Sequence, residues 1–151
     1  MMKWRILTAA FGMAAFAAPA QSADKPGLQG TWQLTQIQWA EEDKTSSIYV
    51  SSKGFVIIDA DTIIHRGDDD DGKLKDRKFG FTVDDKKKPA VYVQKSLDGD
   101  KKGAATTGIY EVDCDTLRMC SKEKGLPDDF TIKQGKDIKD KYLYVYKRVK
   151  K

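Results

Sequence analysis

From Leu28 onward the apolar residues come in short runs: "GFVIID", "DTIIH", "KFGFTVD", "AVYVQ", "GIYEVD", "TLRMC", "DFTIK" and "YLYVYKRV". Each is a few residues long and rich in Val, Ile, Thr, Tyr and Phe, which suits half-buried pleated strands. No window shows a convincing helical stripe at i, i+3, i+4 and i+7, so no long amphipathic helix is predicted. A single short helical turn is predicted around "WAEEDKTS", where two glutamates follow Trp39. Between the runs lie "DAD", "GDDDDG", "DDKKKP", "DGDKKG" and "DCD", turn chemistry at the spacing of an antiparallel meander. Joining about eight such strands by tight loops predicts an all-β domain. An antiparallel up-and-down barrel removes exposed strand edges, and a β-sandwich is the alternative.

The stretch "GIYEVDCDTLRMC" predicts its own register. If Cys114 and Asp115 form a two-residue turn, Asp113 faces Thr116, Val112 faces Leu117, Glu111 faces Arg118, Tyr110 faces Met119 and Ile109 faces Cys120. Apolar pairs then share one face and the opposite charges Glu111 and Arg118 share the other. A bridge between Cys114 and Cys120 does not fit this hairpin, because six residues of extended chain separate them by roughly 20 Å, against the roughly 7 Å between α-carbons that a disulfide requires. That leaves Cys114 at the tip as a candidate for a disulfide between two copies, which non-reducing electrophoresis would show as a dimer. Cysteine is a poor residue for the positive φ of a tight hairpin turn, so a shifted or strained turn is expected there.

Alternation also marks the core. Phe79 and Phe81, Val91 and Val93, Tyr110 and Val112, Leu117 and Met119, and Phe130 and Ile132 stand at inward-facing strand positions. They either fill a small barrel or line a cavity for an apolar ligand, and a filled core is the expected case. In the first strand Trp32 and Leu34 share a parity opposite to that of Ile37 and Trp39. A bulge near Thr35 and Gln36 would bring all four inward. In the last strand Tyr142, Tyr144, Tyr146 and Arg148 oppose Leu143, Val145 and Val149. The aliphatics are expected inside and the tyrosines outside, unless Arg148 reaches Trp32 from within.

The N-terminus changes the picture of compartment. Lys3 and Arg5 precede an uncharged stretch from Ile6 to Ala20, with Ala18 and Ala20 in an A-x-A pattern, the form of a secretory signal peptide at residues 1–20. Cleavage is expected after Ala20, with Ser22 as the alternative, and the apolar run is too short to span a bilayer. Residues 21–27 then form a short linker and 28–151 a single domain, exported to the periplasm or beyond, with no membrane span after processing. Losing Lys3 and Arg5 lowers the formal charge of the 151-residue chain from +4 to +2. The remaining lysines in "DDKKKP" and "KRVKK" are interspersed with aspartates, which argues against a nucleic-acid surface.

Catalytic and metal chemistry have little to work with. The sole histidine, His65, has no adjacent nucleophile in any known pattern, and G-x-S-x-G, H-E-x-x-H and phosphate-cradling loops are absent. The run "HRGDDDDGKLKD" fails as a calcium loop, because with Gly72 at the central glycine position the two anchor positions fall on Gly67 and Lys78. No C-x-x-C pair exists for zinc. No enzyme, cofactor or metal is therefore expected.

The blocks "LQGTW", "KKPAVYV", "GIYEVDCDTLRMC", "GLPDDF" and "YVYKRV" together resemble a planctomycete-type uncharacterised secreted domain, over about residues 28–149. Cys114 stands where that pattern carries a turn glycine and Leu126 where it commonly carries arginine. The second departure means that the resemblance does not carry over an anion-binding role for that arginine. The start "Gly30-Thr31-Trp32" is also similar to the G-x-W signature of lipocalins. That resemblance implies an eight-stranded barrel whose narrow end is plugged by Trp32 with an arginine of the last strand, here Arg148, packed across the indole. It further implies a non-enzymatic, lipocalin-like binding protein for a small apolar ligand. The alternative is a filled structural domain that contacts an envelope protein.

Overall fold

The computed structural model describes residues 21–22, 27–41, 44–49, 54–68, 71–137 and 140–151. The expected signal peptide, residues 1–20, lies outside them. The elements are β1 (Gln21–Ser22), β2 (Gly30–Ala40), β3 (Thr45–Tyr49), β4 (Phe55–Ile58), β5 (Thr62–Asp68), β6 (Leu74–Asp84), β7 (Ala90–Ser96), β8 (Ala105–Asp113), β9 (Thr116–Lys122) and β10 (Lys141–Arg148). Pairing runs β6-β5-β4-β2-β10-β9-β8-β7 and returns to β6, which closes an eight-stranded antiparallel barrel and sets aside the sandwich. Near its start β2 pairs with β4, and near its end with β3, so β3 and β4 together line one side of that long strand. β1 pairs with Thr82 and Val83 of β6, just past the last β5 pairing at Gly80.

Two sequence expectations fail here. The "WAEEDKTS" segment is not helical where it is described: Trp39 and Ala40 end β2, Thr45 and Ser46 begin β3, and the Glu41 amide donates to the Lys44 carbonyl at 2.8 Å, joining the strands as a hairpin. The "DFTIK" run forms no strand either. It belongs to a strap after β9 that lies against the outside of the wall.

The strap explains why apolar residues occupy both faces of β7 to β10. Inside the barrel, Trp32, Val56, Ile58, Ile63, Phe81 and Leu117 anchor the main core. Outside it, Val91, Ile109, Cys120 and Leu143 pack under Ile132 and Phe130 of the strap. Phe130 also takes the Arg118 guanidinium over its ring at 5.3 Å, and Arg118 in turn pairs with Glu111 across the hairpin.

Lys141 pins the strap. Its side chain is buried, and its ammonium donates to Asp129 Oδ1 at 2.8 Å and to the Thr131 carbonyl at 2.7 Å. Burying an ammonium is tolerable only when such partners replace its water. The Lys141 hydrogen bond, together with the Thr131 amide, holds the Asp129 carboxyl well below the usual carboxylate range. A depressed folded-state pKa contributes stability that is fully present above the unfolded value and is lost as pH falls toward the folded one. Asp129→Asn should therefore be less stable than wild type at neutral pH, with the gap closing once pH drops below about 4. Urea unfolding of both proteins from pH 2 to 7 measures this, and a gap that stays constant across the range would contradict it.

The β8–β9 hairpin forms in the predicted register, from Asp113 opposite Thr116 to Ile109 opposite Cys120. Both cysteines are free; Cys114 is exposed at the tip and Cys120 is buried. Cys114 takes a φ of +50°, the one positive value among the described non-glycine residues, so the turn stores local strain. Cys114→Gly should relieve it and raise unfolding stability by about 1 kcal/mol, the typical cost of a left-handed conformation in an L-residue. An unchanged or lower urea midpoint would show that the turn is not strained.

The predicted bulge is present in β2. Tyr146 pairs with Leu34 and Val145 with Gln36, leaving Thr35 as the extra residue, and its hydroxyl donates to the Val145 carbonyl at 3.0 Å. Beyond it Ile37 pairs with Tyr144 and Trp39 with Tyr142, which puts them on the face of Leu34 and Trp32. This register corrects the expectation for the last strand. Tyr146 is buried in the inner core with Tyr144 packed against it, whereas Leu143 and Val145 face outward into the cluster under the strap. The aliphatics are outside because the strap keeps that face dry.

Candidate ligand-binding lumen

One end of the barrel is plugged. Trp32 is fully buried, and its indole Nε1 donates to the Leu28 carbonyl at 3.0 Å. The Arg148 guanidinium lies 4.0 Å above the indole ring. Nη1 of Arg148 donates to the Gln29 carbonyl at 3.1 Å, Nη2 donates to the Gly27 carbonyl, and Nε lies 3.4 Å from Asp115. One side chain thus ties the incoming chain, the last strand and the β8–β9 turn around the indole. Gly30, at φ +133°, leaves the space the guanidinium needs, since a Cβ there would stand 3.2 Å from Nη1.

The other end holds a cavity of about 950 Å³. Phe79, Tyr92, Met119 and Tyr146 give it an apolar floor, while His65, Gln94, Thr106, Ser121, Tyr142 and Tyr144 supply polar walls. A smaller cavity of about 190 Å³ adjoins it and shares His65, Arg77 and Tyr146. His65 and Arg77 face each other across β5 and β6. The imidazole sits edge-on to Phe79 with ring centroids 5.1 Å apart, and its Nε2 donates to Gln94 Oε1 at 3.1 Å. Burial lowers the His65 pKa, the Gln94 bond opposes that, and the Arg77 charge adds to the lowering, so the ring is neutral near pH 7. Burial likewise raises the phenols of Tyr92, Tyr144 and Tyr146, which remain protonated donors.

Gly108 gives Tyr92 its place. The two are cross-strand partners, and a Cβ on Gly108 would stand 2.6 Å from two ring carbons of Tyr92 and 2.3 Å from the Cys120 carbonyl oxygen. The absent side chain lets the ring lie flat across β8 and pack beside Phe81, with centroids 5.8 Å apart.

The sequence-derived candidates divide into three groups. Phe79 and Met119 line the cavity, whereas Phe81, Tyr110, Leu117 and the partly buried Val112 belong to the inner core. Val91, Phe130 and Ile132 do not face inward: they form the outer cluster, and Val93 shares the outward parity of Val91. The sequence reading missed Tyr92 and Gln94 as lumen residues, and put Tyr144 and Tyr146 inside only on the condition, met here, that Arg148 caps Trp32. The signal for the first two lies on β7, where Tyr92 and Gln94 alternate with Val91 and Val93, and the outer apolar cluster reverses which of the two sets faces inward. His65, read as an ordinary strand residue, is also a wall of the cavity. Among the described residues no group of three His, Cys, Asp or Glu side chains could hold a metal ion.

No family model matches the chain, and no curated protein matches it. Among solved structures it is similar to a lipocalin-like protein from Bacteroides uniformis, with a TM-score of 0.53 and 13% sequence identity over 82% of this chain and 100% of that one. At that identity the likeness is one of fold: this chain has a lipocalin-like barrel.

Proposed function

We propose that the protein is an exported, non-enzymatic binding module that carries a small ligand in the open end of its barrel. The observation that carries this reading is the lumen cavity of about 950 Å³, well above the roughly 300 Å³ at which ligand pockets begin. A filled structural domain, the competing reading, has no use for such a space. The ligand's body is apolar, to match Phe79, Tyr92 and Met119, but the polar upper walls call for a partly polar molecule rather than a plain hydrocarbon. Export rests on the N-terminal sequence pattern, and kinship with the planctomycete-type secreted domain rests on the order of the shared blocks.

Native mass spectrometry of protein purified from its own host tests the reading. A retained small molecule of defined mass, released on denaturation, is the expected result. Only apo protein, together with failure to bind any amphiphile offered in vitro, would refute it.

A further inference from the structure

The charged groups at the cavity mouth are unequal in sign. Arg77, Lys101 and Lys122 line it, against one carboxylate, Glu123. Lys122 is engaged by Asp140 at 3.6 Å, whereas Arg77 and Lys101 are exposed at the rim. Deeper in, with Gln94 Oε1 taken up by His65, the Gln94 amide is left to donate, and the wall hydroxyls can donate or accept as an occupant requires. A purely apolar occupant would strip water from these polar groups and leave them unpaired, and a cationic one would meet the net positive charge of the mouth.

Resting on the binding reading above, we propose that the ligand is an amphiphile with an anionic head, a carboxylate or a comparable small oxyanion. The head sits at the mouth, which Arg77 and Lys101 line, and the apolar body lies against Phe79, Tyr92 and Met119. Guanidinium and ammonium groups at this exposed rim make charge-assisted hydrogen bonds to such a head, stronger than those to a neutral ester or alcohol and weakened by salt. The orientation follows from the floor: the deepest cavity side chains, Tyr146 and Met119, are buried in the apolar inner core, where a charge would be costly.

The test compares two fluorescent probes, 11-(dansylamino)undecanoate and its uncharged methyl ester, titrated into the mature full-length protein at low salt. The acid is expected to bind roughly tenfold tighter than the ester, the size of a single charge-assisted hydrogen bond at the low end of its range. The preference should shrink as salt is added. In the double variant Arg77→Gln, Lys101→Gln the acid should fall to the affinity of the ester while the ester is unchanged, which also shows that the exposed double variant is folded. Equal affinities in the wild type, or a preference that survives the double substitution, would overturn the anionic head and leave the binding reading standing. If neither probe bound, both would fall.

Discussion

Gly108→Ala is expected to lower unfolding stability by about 2 to 3 kcal/mol, although it adds one methyl group on a strand where alanine would ordinarily be the better residue. The new Cβ would meet Tyr92 ring carbons at 2.6 Å and a backbone oxygen at 2.3 Å, so relief requires more than a rotation of the tyrosine. Because Tyr92 forms part of the cavity floor, its displacement should also weaken ligand binding. Urea unfolding together with probe titration separates the two effects. A variant as stable as wild type would mean that the ring does not rest on the glycine. Tyr92→Ala combined with Gly108→Ala offers a further check, because removing the ring removes one of the two clashes, and the added alanine should then cost less than it does alone.

Arg148→Met is the second large effect, expected at about 3 kcal/mol. The substitution removes two charge-assisted hydrogen bonds to backbone carbonyls and a stacked cation over a buried indole. It keeps the length and apolar stem of the side chain, so the loss reports the guanidinium. Arg148→Lys should recover less than half, since an ammonium cannot reach the Gly27 and Gln29 carbonyls while lying flat on the ring. A urea midpoint shift corresponding to less than about 1 kcal/mol for Arg148→Met, the range of an ordinary surface contact, would show that the plug is ornamental.

The parts of the fold legible in the sequence were those that local chemistry decides. The β8–β9 register followed from pairing Glu111 with Arg118 and apolar with apolar, and the β2 bulge followed from a change of parity between Leu34 and Ile37. The Trp32 and Arg148 pair was legible only through a resemblance, because nothing in strand periodicity brings residues so far apart in the chain together. The strap was illegible for a related reason. Its Phe130 and Ile132 alternate like a strand, but their partners lie on the outer face of strands formed much earlier, and this contact is set by tertiary packing.

That same hidden layer reversed the assignment of the last strand. Tyrosine at an inward position and valine at an outward one contradict a one-sided wall, yet both are stable once the outer face is dry and the inner face opens onto polar groups. A cavity, unlike a core, rewards side chains with an apolar body and a hydroxyl, which is what Tyr92, Tyr142, Tyr144 and Tyr146 provide. His65 is not legible as a wall residue from sequence, because its partner is Gln94 on β7, a contact between distant strands that local pattern does not encode.

The central claim is that the barrel takes a ligand through its tyrosine-lined end and is sealed at its tryptophan end. Amide chemical-shift mapping by NMR during titration with 11-(dansylamino)undecanoate tests it most directly. The largest perturbations should fall on His65, Gln94, Thr106, Ser121 and Tyr144, with Gln29 to Trp32 and Arg148 unmoved. Perturbations concentrated around Trp32, or on Val91, Phe130 and Ile132 under the strap, would contradict it.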